Sequence, residues 1–288
     1  MNPPPYQPPP ESKNPIIRQI LLASLIALPV AALILCGVVY AVNAQKKAAQ
    51  SRAAWRDMAS SANQAQSKLK KNFDPKKGIT NVDFTESDKL REKLKDASQK
   101  LSGDDAIFAK VGADYLGRVE AAGTNYHTAV EKLRSAHVLA KFDSSDREQL
   151  TERREIVQEF IDANSALKKV IMSSEDRIRA DLNDANIRQT KIDSYMQGFH
   201  STAAPRNALV VKIRQCDERI GNATLDILNT LDKQWGHWKS DPKVDKIRFE
   251  DTSALETYNT DLAEINDAAA EQLNFQKLLV NQPAIPQM

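Results

Sequence analysis

The chain has 288 residues, with 40 Lys and Arg set against 38 Asp and Glu, nine glycines and 13 prolines. Ten of the prolines fall in the first 29 residues or the last six, leaving only Pro75, Pro205 and Pro242 for positions 43–282. So few turn-forming residues exclude sandwich, barrel and Rossmann-type domains and permit very long helices, while the balanced charge excludes the basic footprint of a nucleic-acid binder.

Residues 1–15 hold seven prolines and read as a disordered, extended Pro-rich tail, of the composition that aromatic-groove domains take as ligand. Segment 16–43 reads as a transmembrane signal-anchor helix. Positions 19–45 are 27 residues without a formal charge, and 20–42 are apolar apart from Ser24 and the Tyr40 hydroxyl. At about 1.5 Å per residue this core spans roughly 35 Å, enough to cross a bilayer. Pro29 inside it introduces a kink that membrane helices tolerate. A cleaved signal peptide, cut near Val42-Asn43-Ala44, is the competing reading, but the apolar run is far longer than a secretory core of about 7–15 residues. A short tail before a single anchor and a large domain after it reads as body outside the cytoplasm. The basic residues leave the alternative of a cytoplasmic body, because Lys13 and Arg18 on one side are outnumbered by Lys46, Lys47, Arg52 and Arg56 on the other.

Segment 44–72 reads as a juxtamembrane helical stalk, and 73–281 as an antiparallel helical bundle. The stalk, rich in alanine, glutamine and lysine, ends at Phe73-Asp74-Pro75-Lys76-Lys77-Gly78. Lys46, Lys47, Arg52, Trp55 and Arg56 along it are candidate lipid or partner contacts, each basic residue near an anionic surface contributing about 1 kcal/mol. Trp55 stands about 20 Å beyond the span on a straight helix, which favours a protein contact for it.

A short helix follows from Thr85 to about residue 101. The next, about 105–141, carries a single stripe of Phe108, Val111, Tyr115, Val119, Ala122, Tyr126, Val130, Leu133 and Ala140 at steps of three and four, with one of seven. Gly112, Gly117 and Gly123 weaken it intrinsically. Ser145 with Glu148 reads as a capping box, opening a helix of about 80 Å to residue 200. Every seventh residue along it (Leu150, Val157, Asn164, Ile171, Ile178, Ala185, Ile192, Phe199) is apolar except Asn164. That repeat predicts a coiled-coil seam, closed within the chain or between two copies, in which Asn164 either sets register or is a solvated or locally bonded asparagine. Pro205 then reads as the start of a new helix presenting Leu209, Ile213, Cys216, Ile220, Ala223, Ile227, Leu231, Trp235 and Trp238 and closing at Asp241-Pro242. Ser253 with Glu256 reads as a second capping box, opening a last helix with Leu255, Tyr258, Leu262, Ile265, Ala269, Leu273 and Val280. Residues 282–288 read as a disordered tail. The fold class is all-α: one N-terminal transmembrane helix and an elongated antiparallel bundle or coiled coil.

No catalytic, cofactor-binding or metal site is expected. The four histidines, His127, His137, His200 and His237, form neither a zinc nor a di-iron pattern. No phosphate loop or nucleophile elbow occurs, and Cys216 lies on an apolar stripe as a structural thiol. Asn222-Ala223-Thr224 matches a glycosylation acceptor in mid-helix. Trp235 and Trp238, flanking His237, are candidate contacts of a docking partner. The sequence therefore predicts a non-enzymatic, single-pass, membrane-anchored interaction protein whose partners are the bilayer, an unidentified protein and a second copy through the seam. The alternative is a ligand-sensing bundle acting through a separate transducer.

Overall fold

The computed structural model describes residues 48–79, 85–140, 142–241 and 246–284. The Pro-rich tail, the apolar run 16–43, Lys46 and Lys47 lie outside the described residues. Among the described residues no helix is long and apolar enough to cross a membrane.

The chain is mostly helical, with seven helices among the described residues: α1 (Ala48–Lys71), α2 (Thr85–Lys100), α3 (Asp104–Ser135), α4 (Glu148–Met172), α5 (Ser174–Asp184), α6 (Gln189–Lys233) and α7 (Thr252–Val280). Two small antiparallel pairs interrupt them: β1 (Phe73–Asp74) with β2 (Gly78–Ile79), and β3 (Trp238–Asp241) with β4 (Lys246–Phe249). Successive helices pack as neighbours: α1 on α2, α2 on α3, α3 on α4 and α5, α4 on α6, and α6 on α7. Two pairs along an interface run in opposite chain directions, as in Asp57–Lys93 with Lys68–Glu86, Lys168–Glu218 with Arg154–Asp232, and Arg219–Glu264 with Lys212–Phe275, so these neighbours are antiparallel.

The stripe expected along α3 forms the core. Phe108, Val111, Tyr115, Val119, Tyr126, Val130 and Leu133 are buried, and Phe108 stacks on Tyr195 of α6 at 4.8 Å between ring centroids. α6 is central, because two adjacent columns are buried along it: Ile213, Cys216, Ile220, Ala223, Ile227 in one and Arg214, Asp217, Gly221, Thr224, Leu228 in the other. A helix buried on two faces needs partners on both, and α4 and α7 supply them. Close approach is set at Gly221, where a Cβ would stand 2.6 Å from Ile161 Cγ1. α1 is part of the same body, since Trp55, Met58, Ala59, Ala62 and Leu69 are buried in the common core.

The structure corrects several boundaries. The single helix expected over 145–200 is interrupted at Ser173 and turns back at 185–188. There Asn186 takes φ 57, its N–H reaches the Asn183 carbonyl at 2.8 Å, and the Ile187 N–H reaches the Leu182 carbonyl at 3.1 Å. This double closure ends the helix, and the buried Leu182 and Ile187 supply the apolar contact that accompanies it. The seam therefore folds back within the chain: Leu150, Val157, Asn164, Ile171 and Ile178 are buried, and so are Ile192 and Phe199 beyond the turn.

Conversely, Pro205 does not begin a helix but lies inside α6. It is exposed, with Thr202, Ala203, Arg206 and Asn207 buried around it. Packing on the other faces holds the helix through a residue that costs about 3 kcal/mol in a helix interior.

Neither capping box forms. Asp146, not Ser145, accepts the Glu148 N–H at 3.0 Å, and Asp251, not Ser253, caps α7 by accepting the Ser253 N–H at 2.9 Å. In both cases an aspartate two residues before the donating amide has the shorter reach and the charge that a helix N-terminus favours. The helix expected to run to residue 240 stops at Lys233, and Trp238 stands on a strand. Alternation explains this: Trp238 pairs with Phe249 and Ser240 with Ile247 on the inner face, while Lys239 and Arg248 pair on the exposed one. Gln282 and Pro283, expected in a frayed tail, are tied down as carbonyl acceptors of Gln66 and Arg206.

Candidate functional site

Near the middle of the bundle, four helices converge on one charge pair. Arg214 and Asp217 lie one turn apart on α6, both fully buried, with Nη2 3.0 Å from Oδ2. The Tyr126 hydroxyl of α3 donates to Asp217 Oδ2 at 3.0 Å, and Gln272 Nε2 of α7 donates to Oδ1. Asn164 of α4 donates from Nδ2 to the Arg214 carbonyl at 2.8 Å, and the Arg214 guanidinium lies over the Tyr126 ring at 4.1 Å. Burial raises the Asp217 carboxyl to about 6, against the opposing pull of Arg214, Tyr126 and Gln272. Burial likewise holds the Tyr126 phenol well above its usual range.

Every member of this cluster points at another, and each sits in the core. The charge pair lies within α6, and a one-turn slip of α3 or α7 would take a hydrogen-bond donor, Tyr126 or Gln272, away from the buried Asp217 carboxyl, so the cluster favours one register. Asn164 stood out in the sequence as the one polar member of the seam. Tyr126 was visible on the stripe of α3, whereas Arg214, Asp217 and Gln272 fall one position beside apolar stripes and look solvated in sequence.

The aromatic end is built from α6, the β3–β4 pair and the loop before α4. Trp238 is buried, donates from Nε1 to the Leu231 carbonyl at 2.8 Å and meets Phe142 edge-on. Trp235 stands edge-on to Trp238 at 5.5 Å and is half-buried. Arg153 covers Phe142 at 4.5 Å and donates to the Val138 and Ala140 carbonyls. Of the two candidate tryptophans, Trp238 is a core residue and Trp235 alone offers surface. His237 between them is exposed and meets Glu250 at 3.0 Å.

On α1 the candidates also divide. Arg52 and Arg56 are exposed, whereas Trp55 is 2% exposed and belongs to the core. A Trp at this depth packs against the protein's own core, as its distance beyond the apolar run favours. Along the polar side of α1, Ser60, Asn63, Gln64, Ser67, Lys68 and Lys71 line a shallow groove with Glu86 of α2. Hydrogen bonds from Lys68 and Lys89 hold the Glu86 carboxyl below its usual range.

Cys216 is buried, and desolvation pushes its thiol up to about 12. Among the described residues no group of three or more His, Cys, Asp or Glu is placed to hold a metal ion. In comparisons with known proteins, the chain matches no family model, no curated protein and no solved structure.

Proposed function

We propose that the chain is a membrane-tethered, non-enzymatic helical interaction protein, anchored by segment 16–43 and presenting its bundle to a protein partner. The observation that carries this reading is the run of 27 residues without a formal charge at 19–45, set directly before α1. A run of that length and apolarity has a bilayer as its natural solvent. The bundle adds support through its surface, where charges are paired across helices, as in Arg219 with Glu264 and Glu271, and Asp232 with Arg147 and Arg154. Such a surface suits a soluble body outside the bilayer. The body stands on the non-cytoplasmic side in this reading.

The partner contact is assigned to the end carrying Trp235, opposite the end from which α1 enters. A photoreactive residue at position 235 of the full chain in native membranes should give one discrete adduct with another membrane or envelope protein. Adducts with the chain itself alone, or none, would remove the partner from the proposal. A ligand-dependent rise in melting temperature would favour the sensing reading instead.

A further inference from the structure

α3 and α6 run parallel: Asp104 meets Lys191, Phe108 stacks on Tyr195, and further along both Tyr126 lies beneath Arg214. Both helices therefore begin at one end of the rod. α1 begins there too. It lies antiparallel to α2, with Asp57 meeting Lys93 and Lys68 meeting Glu86, so Ala48 stands level with the close of α2 and the turn at Gly103. The end face thus combines the start of α1, the α2–α3 turn and the α5–α6 turn.

The chain enters the bundle through this face. Trp55, Met58 and Ala59 lock α1 into the core, so its path back toward Ala48 follows the long axis. Val42, the last residue of the apolar run, precedes Ala48 by six positions, and six residues reach about 20 Å even when fully extended. With segment 16–43 in a bilayer, this face is held within that reach of the headgroups. The Trp235 end stands about 68 Å further along the 45 residues of α6.

The face suits headgroups and not acyl chains. Ser102, Gly103, Asn186, Arg188, Gln189 and Thr190 are exposed on it, and Ile187 among them is buried. The exposed large apolar side chains among the described residues, Met172 and Leu278, lie at or beyond the level of Arg206 on α6, about 25 Å away, as the Asn207–Ser174 and Arg206–Pro283 contacts show.

Its charge favours an anionic surface. Lys191 neutralises Asp104, and Lys100 meets Asp96. Arg188 is exposed and makes no ion pair among the described residues, with Asp184 the exposed carboxylate nearest it in the chain. In sequence, Lys46, Lys47 and Arg52 bracket the start of α1. The positive ends of the α3 and α6 dipoles point out through the same face and add to this sign.

Given the anchor at 16–43, on which this rests, we infer that the end face lies against the headgroups of an anionic bilayer. The bundle then stands upright on its anchor, with the α5–α6 turn facing lipid phosphate and the Trp235 end held away from the surface.

Energy transfer to a headgroup-labelled lipid tests this on the full chain. Cys36→Ala removes one native thiol, and the buried Cys216 thiol, pushed up to about 12, does not compete for dye. A donor dye is placed at Gln189→Cys or at Lys233→Cys, both exposed positions. The chain is reconstituted into phosphatidylcholine vesicles with or without phosphatidylglycerol, and flotation with the vesicles checks the anchor separately. Quenching at 189 should exceed that at 233 severalfold, and phosphatidylglycerol should raise it at 189 and lower it at 233. Arg188→Glu should weaken this lipid response at least twofold without changing flotation. Equal quenching at the two positions, or a contrast that ignores phosphatidylglycerol or Arg188→Glu, would overturn the upright contact while a floating chain leaves the anchor standing. A chain that does not float would remove both.

Discussion

At Asp217 burial and pairing pull in opposite directions, and the carboxyl settles at about 6 against an ordinary 3.8. The folded state therefore holds this proton more tightly than the unfolded chain. The stability that follows is present in full below about pH 4 and is lost as pH rises through about 6. Other carboxylates shift both ways, Glu120 upward and Glu175 downward, so the effect is read by comparison with Asp217→Asn. Relative to that variant, the wild type should be more stable at pH 5 than at pH 7 by about 1 kcal/mol, measured by urea unfolding. Parallel pH profiles for the two proteins would refute the assignment.

Removing the other partner is harsher. Arg214→Ala leaves a carboxylate in the core with no counter-charge and should cost about 3–5 kcal/mol, whereas Arg214→Met with Asp217→Leu should cost much less. Equal losses from the single and double changes would show that the pair does not act as a unit.

Among the elements, the stripes of α3 and α4 were legible because burial on one face leaves a clean period of three and four. α6 was legible only in part: Ile213, Cys216 and Ile220 announce one buried face, and the second face is hidden behind Arg214, Asp217 and Thr224. The end of α5 was missed because Asn186, not glycine, supplies the left-handed residue, and because Ile192 and Phe199 keep the seven-residue count across the turn. Pro205 misled in the opposite direction, since tertiary burial overrode its helix-breaking preference. The hairpin at 238–249 was hidden by a tryptophan that also fitted the helical stripe, although Lys246-Ile247-Arg248-Phe249 alternates as a strand does. Caps offer the sharpest check at this scale. Asp146→Ala should destabilise by about 1 kcal/mol through loss of the α4 cap, and Ser145→Ala should be close to neutral. The reverse ranking in chemical unfolding would restore the serine capping box.

For the whole molecule, α6 is the organising axis. Its 45 residues extend about 68 Å, and α3, α4, α5 and α7 each pack against it or against its neighbours. One end is where α1 enters beside the start of α3 and the α5–α6 turn, and the other carries Trp235 and the β3–β4 pair. This polarity gives the proposed anchor and the proposed contact surface opposite ends of one rod.

Extraction of native membranes at alkaline pH separates a tethered chain from one held only at the surface. The full chain should remain in the membrane pellet, while a chain beginning at residue 44 should appear in the supernatant with its helical circular-dichroism signal intact. Release of the full chain by the same wash, or retention of the shortened chain in the pellet, would show that segment 16–43 is not what holds the chain in the membrane.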